Sequence, residues 1–312
     1  MNNSCAVIVT YNPDIPTLKA CINATATQVD KIYVVDNASS ISFEDCLAGY
    51  AAVETICLAE NMGIAAGFNV GIRRAREAGY RYLLFLDQDS IPPPNLVEKY
   101  LDTFEHLHSN AQPVAALGPR YRDPRNGHTS NFVRFSWFRN RYIKLESGND
   151  HVKADFLISS GSFYPIEIFD KVGLFEEDLF IDHVDTEWFL RAKALGYTCI
   201  GVWDAVMEHC LGEGSIRMWF LRWRDHPLHK PFRLYFITRN SLLLYRKDHV
   251  PLKFISADIL RLMRLFVVHI CFSSERKDVL RWSALGVWHG IKGISGCTAV
   301  FPGSEDAKPE SV

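Results

Sequence analysis

The sequence predicts an α/β fold with a doubly wound sheet. Short runs of apolar and β-branched residues alternate with stretches in which apolar residues recur at helical spacing. The runs are mostly apolar, as in parallel strands whose two faces are both covered by helices. Each of the first four runs is followed by a cluster of polar residues. Together these features predict a sheet with a polar binding crevice along one edge.

The predicted elements alternate along the chain. Strands are expected at residues 6–10, 32–35, 53–58, 82–86 and 114–118, and helices at residues 14–24, 64–78, 95–108 and 185–195. The first helix has Leu18, Cys21 and Ile22 at helical spacing, and Gly79 follows the second helix as a typical C-cap. A chain of 312 residues, 48% hydrophobic and 22% charged, can form one large domain with an appendage.

Polar residues follow the first four predicted strands at the point where each strand ends. The clusters are Thr10-Tyr11-Asn12, Asp36-Asn37, Asn61-x-Gly63 and Asp87-Gln88-Asp89. One such cluster is typical of any loop, but four at the same sheet edge form one crevice. No G-x-G-x-x-G follows the first strand and no G-x-x-x-x-G-K-[ST] occurs, which disfavours a dinucleotide site and a P-loop.

Two carboxylates, Asp87 and Asp89, directly follow the strand at residues 82–86. Aimed at one crevice, they would repel each other unless a cation lay between them and a ligand. Mg²⁺ and Mn²⁺ prefer oxygen ligands and are often completed by substrate phosphates. The pair therefore indicates a metal–diphosphate site, with a simple polar turn after the strand as the alternative.

Charge is unevenly distributed along the chain. The net charge is −2, which predicts no general attraction to nucleic acid. Residues 230–300 hold twelve Lys and Arg against four Asp and Glu, a surplus of +8, so the remainder carries −10. A basic C-terminal part on an acidic body suggests a local interaction surface, for which an anionic membrane is one candidate.

The eight cysteines form no C-x-x-C pair and mostly lie in apolar segments. They are expected to be reduced core residues of a cytosolic protein, not a disulfide framework or a zinc site. A strand is predicted almost at the N-terminus, with no signal peptide before it. No uncharged apolar run reaches the roughly 18–20 residues of a membrane-spanning helix.

Several motifs, in this order and spacing, resemble those of inverting family 2 glycosyltransferases of the GT-A fold, in the branch of bacterial rhamnosyltransferases. The matching segments are Val9-Thr10-Tyr11-Asn12-Pro13, Val35-Asp36-Asn37-Ala38-Ser39, the run from Asn61 through Gly63, Gly67 and Asn69 to Gly71, Asp87-Gln88-Asp89, and Asp182-His183-Val184-Asp185-x-Glu187-Trp188-x-x-Arg191. The resemblance covers residues 6 to about 215, with a further match near Arg239. It implies a mixed sheet with helices on both faces.

The resemblance implies a donor site at the sheet edge. Asp36 would accept a hydrogen bond from the N3–H of uracil or thymine, because a carboxylate only accepts; an Asx-turn is the alternative. The other implied donor-binding residues are Thr10, Tyr11, Asn12, Asn61, Gly63, Gly67, Asn69, Asp87, Gln88 and Arg239. Gly63 and Gly67 would allow close backbone approach, or would simply be small packing residues. Asp87 and Asp89 would hold Mg²⁺ or Mn²⁺ on the diphosphate.

The same resemblance implies the catalytic carboxylates. Arg191 lies six residues after Asp185, which aligns Asp185 with the family's catalytic base and Glu187 with its second acid. The chain departs from the commoner Glu-Asp pattern, because position 184 is Val and the extra acid is Asp182. Asp185 is favoured as the base and Asp182 remains an alternative. Asp185 could also serve as a helix N-cap.

Two further residues match the family pattern more weakly. His209 would complete the metal shell or touch the diphosphate, although a lone histidine is often structural. Arg239 suits a phosphate through its bidentate guanidinium, and could equally pair within a helix.

The implied function is transfer of a sugar, L-rhamnose from dTDP-L-rhamnose being favoured, to a hydroxyl of a lipid-linked cell-surface polysaccharide precursor such as O-antigen. We expect a catalytic domain at residues 1–215, with a donor half at 1–118 and an acceptor half at 119–215. Residues 216–300 should form a basic, amphipathic helical region, which could lie on the cytoplasmic face of the inner membrane. Residues 301–312 should be disordered.

Three alternatives remain open at this point. The donor could be a UDP-sugar, since nothing physical in the sequence identifies the sugar. A nucleotidyltransferase would also use paired Asp residues on Mg²⁺, but would require a basic, glycine-rich loop after the first strand. A non-catalytic nucleotide-sugar binding protein is disfavoured by the intact set of Asp87, Asp89, Asp185 and Glu187.

Overall fold

A computed structural model describes residues 3–109, 112–123, 127–146, 149–208, 214–220 and 222–297. The chain divides into two compact units. Within the described residues, the first unit comprises residues 3–134 and 142–208, and the second comprises residues 135–141 and 214–297.

Twelve strands and nine α-helices have the following bounds in the described parts of the chain. The strands are β1 Ser4–Thr10, β2 Lys31–Asp36, β3 Val53–Cys57, β4 Tyr82–Asp87, β5 Val114–Arg122, β6 Val133–Ser136, β7 Arg139–Tyr142, β8 His151–Ala154, β9 Phe163–Pro165, β10 Thr198–Glu208, β11 Gly214–Phe220 and β12 Arg222–Leu228. The helices are α1 Ile15–Ala26, α2 Glu44–Leu47, α3 Ile64–Glu77, α4 Leu96–Ser109, α5 Ile168–Lys171, α6 Val184–Ala194, α7 Pro231–Leu244, α8 Leu252–Phe272 and α9 Arg276–Lys292, and a 3₁₀ turn covers Glu177–Leu179.

The first unit is built on an eight-stranded sheet of order β3-β2-β1-β4-β9-β5-β10-β8. Strands β1 to β4 are parallel, and β9 runs antiparallel to both β4 and β5. The predicted α/β fold with a mixed sheet is therefore confirmed. All seven residues of β1 are buried, as expected for a central strand that is covered on both faces.

Helix α3 packs against β1 through two glycines. A Cβ on Gly67 would lie 2.7 Å from Val9 Cγ1, and a Cβ on Gly71 would lie 2.4 Å from Val7 Cγ1. Any larger residue would push the helix off the strand. The glycine-rich run thus fixes the position of α3 at the sheet edge where β1 ends.

The cysteines are only partly where the sequence suggests. Cys5, Cys21 and Cys199 are buried free thiols. Cys46, Cys57 and Cys271 are exposed, so the expectation that they belong to the core is wrong for them. They lie in or beside short or amphipathic elements whose buried face the local sequence does not specify.

The second unit is mainly helical, as predicted for the C-terminal region. A two-stranded sheet of β11 and β12 precedes the helices, where the sequence predicted only helix. Leu234 and Ile237 of α7 and Val279 of α9 form a small core, against which Leu262 and Leu265 of α8 pack. Among the helices of the described chain, none combines the length and the hydropathy needed to cross a bilayer. The predicted disordered tail, 301–312, lies outside the described residues.

Candidate active site

Three predicted site residues meet at the carboxyl ends of adjacent parallel strands. Thr10 is paired in register with Asp36 on β2, and Val9 is paired with Asp87 on β4. The Thr10 hydroxyl donates a 3.0 Å hydrogen bond to the Asp36 carboxylate. The polar edge predicted from the sequence is therefore present, with Asp36 and Asp87 on either side of β1.

The Asp36 carboxylate is buried and faces donors from two segments. Besides the Thr10 hydroxyl, it accepts hydrogen bonds from the backbone N–H of Ser39 at 2.9 Å and from the Ser39 hydroxyl. A carboxylate has about four acceptor positions, so three internal donors leave room for one more. Asp36 thus forms the anticipated Asx-type turn and still has the capacity to accept a ring N–H.

Tyr11, Asn12 and Gln88 hold neighbouring strand ends together. The backbone N–H of Tyr11 donates to Gln88 Oε1 at 2.8 Å, which links the ends of β1 and β4. The Asn12 side chain accepts a 2.8 Å hydrogen bond from the Ser40 N–H, and the Asn12 N–H donates to Ser39 Oγ. Asn12 and Gln88 therefore shape the crevice through contacts within the protein.

The loop before α3 is joined to a loop more than a hundred residues away. Asn61 accepts from the Gly63 N–H at 3.0 Å, and Gly63 has φ +86°. The Ile64 N–H donates to the Phe180 carbonyl at 2.9 Å, and a Cβ on Gly63 would lie 2.4 Å from that same oxygen. Glycine at position 63 is thus required for contact with the segment that leads to Asp185.

Asn69 is not brought to the strand-end cluster. It is buried, and its amide makes a two-way contact with the backbone of Phe175: Nδ2 donates to the carbonyl at 2.8 Å and Oδ1 accepts from the N–H at 2.9 Å. Nδ2 also donates to Glu177 Oε1. These contacts fasten the loop at residues 175–177 to α3, a role that the sequence motif did not reveal.

The segment at residues 180–183 has a strained backbone. Phe180, Asp182 and His183 have φ of 65°, 63° and 63°. Phe180, with ψ −67°, forms a γ-turn of the rare positive-φ kind, in which the Ile181 N–H donates to the Leu179 carbonyl. Such conformations cost on the order of 1–3 kcal/mol each and concentrate at functional sites. The strain places Asp182 and His183 immediately before α6.

Asp185 lies in the first turn of α6, close to other carboxylates. It accepts hydrogen bonds from the Thr186 N–H at 2.7 Å and from the backbone of Ser159. Burial, and then the negative charges of Asp87 and Asp182, raise the pKa of Asp185 from 3.8 to about 6, although the backbone donors oppose the shift. A carboxylate with this pKa can accept a proton near neutral pH.

A buried loop at residues 159–162 joins Asp87 to Asp185. Ser160 Oγ accepts from the Asp87 N–H at 3.0 Å, while the Ser159 backbone bonds to Asp185. Two tyrosines bind consecutive carbonyls of this loop: Tyr121 donates to that of Ser160 at 2.6 Å and Tyr100 to that of Gly161 at 2.9 Å. The pKa of Tyr121 is raised by burial and then by the charges of Asp87 and Asp185.

Sequence reasoning missed this loop as a functional element. In the sequence these residues belong only to the expected acceptor half at 119–215, and no motif marks Tyr121, Ser160 or Gly161. No local periodicity marks a loop whose role is to bond two distant carboxylates, so the only available signal was its small residues.

Glu187 is buried and pairs with Arg191. The two side chains make hydrogen bonds of 3.1 and 2.9 Å one helical turn apart. Arg191 also donates to the carbonyls of Val172 and Leu174. The structure thus places Glu187 in a structural ion pair that fixes the loop before residue 175.

The predicted metal ligands give a partial set. Asp87 is partly buried and Asp89 is exposed, and His209 lies outside the described residues. Over the chain segments that are described, no group of three His, Cys, Asp or Glu side chains could hold a metal ion. Asp87 and Asp89 nevertheless supply two carboxylates in one turn, the oxygen donors that a hard divalent cation prefers when a diphosphate completes its shell.

Arg239 belongs to the second unit and is buried there. Its guanidinium donates to Asn240 Oδ1 at 2.9 Å and to the Gly296 carbonyl, and lies over the rings of Tyr235 and Phe236. The expected contact with a phosphate remains a prediction.

Two sequence comparisons identify relatives of this chain. The family model described as "Glycosyl transferase family 2" matches residues 5–173. The chain is 33% identical over 300 residues to a protein of Shigella flexneri named dTDP-rhamnosyl transferase RfbF, covering 95% of this chain and 97% of that protein.

Solved structures show the same fold in larger proteins. GalNAc-T7, crystallised with UDP, GalNAc and Mn²⁺, aligns with a TM-score of 0.59 and 14% identity over 99% of this chain and 58% of that one. TarS of S. aureus aligns with a TM-score of 0.50 and 14% identity over 87% of this chain. The chain spans 44% of TarS, so in both comparisons it covers less than two thirds of the other protein.

Proposed function

Because the chain belongs to glycosyl transferase family 2, we propose that this enzyme transfers L-rhamnose from dTDP-L-rhamnose to a saccharide hydroxyl. The observation that carries the donor assignment is the 33% identity to a dTDP-rhamnosyl transferase over 95% of the chain. Membership in this family favours sugar transfer over the nucleotidyltransferase and binding-protein alternatives.

Asp36 provides the contact for the nucleoside. Its remaining acceptor position suits the N3–H of thymine, which uracil also has, and Thr10 and Tyr11 line the same strand ends. A UDP-sugar would satisfy this contact equally well. The choice of dTDP over UDP therefore rests on the relative and not on Asp36.

Asp185 is the proposed base of an inverting displacement. The acceptor oxygen attacks the anomeric carbon, the bond from that carbon to the diphosphate oxygen breaks, and its electron pair leaves with the diphosphate. The acceptor hydroxyl proton passes to the Asp185 carboxylate, whose pKa of about 6 leaves it mostly ionised at neutral pH. Asp182 remains the alternative base, and Glu187 supports α6 through Arg191.

Asp87 and Asp89 are the proposed ligands of Mg²⁺ or Mn²⁺, with His209 as a possible third. When bound, the cation supplies Lewis-acid neutralisation of the diphosphate. The Ser160 hydroxyl and the Gln88 side chain hold this turn against β1 and the 159–162 loop. The turn is thereby fixed before any ligand arrives.

The acceptor is a cell-surface polysaccharide precursor, lipid-linked and presented at the cytoplasmic face of the inner membrane. This part of the proposal rests on resemblance to family members and on the basic charge of residues 230–300. It leaves the linkage position open.

A thermal-shift series tests the donor site first. The protein is melted with dTDP, UDP, GDP or ADP, each with and without Mg²⁺ or Mn²⁺. A ligand that binds only the folded state raises the melting temperature, so dTDP with metal should give the largest shift. Asp87→Ala should abolish the metal-dependent part, whereas Asp102→Ala, an exposed carboxylate on α4, should retain it.

An activity assay with dTDP-L-rhamnose as the donor then tests the assignment of the sugar separately from that of the nucleotide. Stabilisation by UDP alone would keep the glycosyltransferase but exclude the rhamnose assignment. If none of the nucleotides gives a metal-dependent shift, the proposed donor site is contradicted.

A further inference from the structure

The turn between β6 and β7 exposes two aromatic side chains. Trp137 is 50% exposed and Phe138 is 65% exposed. Phe138 also has φ 64°, a left-handed conformation that is uncommon for a bulky residue. Both the exposed rings and the backbone strain are unfavourable in a turn that only connects two strands. Their combination points to a binding role for this turn.

The turn packs beside the first half of α8 within the second unit. The Phe138 N–H donates to Ser256 Oγ at 3.2 Å, and the rings of Phe135 and Phe254 lie 5.1 Å apart in an edge-to-face contact. The aromatic tip is therefore held against the helix at Ser256.

The face of α8 that includes Ser256 is apolar and exposed. Successive members of this face lie three or four residues apart: Leu252, Ser256, Leu260, Met263 and Val267. Met263 is 61% exposed and Val267 is 57% exposed. The opposite face is buried, with Phe254, Ala257 and Val268 among its members. We call the turn at residues 137–138 and this exposed stripe of α8 the docking face.

The docking face is bordered by basic side chains. Arg139 and Arg141 follow the aromatic turn, and Lys253 and Arg264 flank the stripe on one side of α8; all four are exposed. The only acidic residue in α8 is Asp258, which is buried and bound to Arg261 at 2.6 Å. The surface thus combines aromatic and aliphatic groups with basic side chains.

We propose that the docking face binds the surface of an anionic lipid bilayer. Trp and Phe suit the boundary between headgroups and acyl chains, and an amphipathic helix with basic flanks lies in that plane. Charge complementarity favours this occupant, because anionic phospholipid headgroups carry charge opposite to that of the basic side chains. A second copy of the chain docked through the same face would bring two basic surfaces together.

Vesicle flotation of the full chain tests the proposal. We expect binding to vesicles of phosphatidylcholine with phosphatidylglycerol, little binding to phosphatidylcholine alone, and weaker binding as salt rises. Trp137→Ser with Phe138→Ser should weaken binding by about tenfold or more, since two aromatic insertions are lost. Arg139→Gln and Arg264→Gln should each weaken it about fivefold.

Matched controls come from the first unit. Ile41→Ser removes an equally exposed apolar side chain, and Lys171→Gln removes an exposed positive charge in α5. Both should bind vesicles like the parent protein. All variants should keep the dTDP-dependent thermal shift, so failure of membrane binding is distinguishable from failure of the proposed donor site.

Three results would overturn the proposal. The parent protein could fail to float with anionic vesicles at low salt, or the docking-face variants could bind as well as the controls. Light scattering could instead show a dimer that the Trp137 and Phe138 substitutions dissociate, which would assign the face to a second copy.

Discussion

The edge formed by β1, β2 and β4 differs from the segment that presents Asp185. At the edge, Thr10 and Asp36 occupy the regular ends of parallel strands and bond to each other directly. The Asp185 segment instead follows three left-handed residues and is fixed by contacts from Gly63 and from Ser159. The proposed nucleotide side of the site is thus positioned by the sheet, and the proposed base side is positioned by long-range contacts.

This difference indicates where each half is vulnerable. The strand ends are held by the backbone pairing of β1 with β2 and β4. The base depends on a few specific contacts, so single substitutions should affect chemistry while leaving nucleotide binding intact.

Asp185→Asn should lower the transfer rate by about 10²–10⁴-fold, because the amide cannot accept the hydroxyl proton. Asp182→Asn should cost much less. The measurement is kcat for transfer from dTDP-L-rhamnose, together with the dTDP-dependent thermal shift, which both variants should keep. Near-normal turnover in Asp185→Asn with loss in Asp182→Asn would exchange their roles.

Gly63→Ala should lower transfer by roughly tenfold or more, since its Cβ would lie 2.4 Å from the Phe180 carbonyl and would displace the segment before Asp185. Gly79→Ala is the matched control: Gly79 also has positive φ, 77°, but nothing lies within 4 Å of the added Cβ. Both should lose about 1 kcal/mol or more of stability from backbone strain. Equal activity in the two variants would show that the contact with Phe180 does not position the base.

The fold and the strand-end residues could be predicted because both follow from local patterns. Apolar runs fixed the strands, and the register then brought Thr10 and Asp36 together without further information. The edge strand β8, the short strand β9 between β4 and β5, and the β11–β12 pair were not predicted, because none of them is a short continuous apolar run. Their pairing partners lie far away in sequence.

The base side could be predicted only by resemblance to a family. Spacing identified Asp185 and Asp182, but not the γ-turn at Phe180 or the loop that bonds Asp87 and Asp185. It also suggested a donor contact for Asn69, whose amide instead holds Phe175. A motif predicts that a residue is important, but it does not predict which residue it contacts.

The substitutions Tyr121→Phe and Tyr100→Phe compare two hydrogen bonds that hold the 159–162 loop. Each removes one buried hydroxyl that donates to consecutive carbonyls of Ser160 and Gly161, so each should cost about 1–3 kcal/mol of stability. Only Tyr121 lies near enough to feel the charges of Asp87 and Asp185. We expect kcat to fall severalfold in Tyr121→Phe alone, with KM for the donor unchanged; equal kcat in both would confine Tyr121 to stability.

The pH dependence of stability tests the burial of the Asp185 carboxyl without an activity assay. The folded-state pKa of Asp185, about 6, lies above its ordinary value of 3.8, so the folded protein holds this proton more tightly than the unfolded chain. The resulting stabilisation is complete below pH 3.8 and is lost as pH rises through 6, by at most about 3 kcal/mol.

Asp185→Asn should therefore unfold at a higher denaturant concentration than the parent protein at pH 8, measured with EDTA, and the difference should shrink towards pH 4. The Asp102→Ala substitution, at an exposed position on α4, should show no such convergence. The difference in stability between the parent protein and Asp185→Asn could instead be independent of pH. Burial would then not destabilise the carboxylate, and the raised pKa could not explain its proposed role as a base.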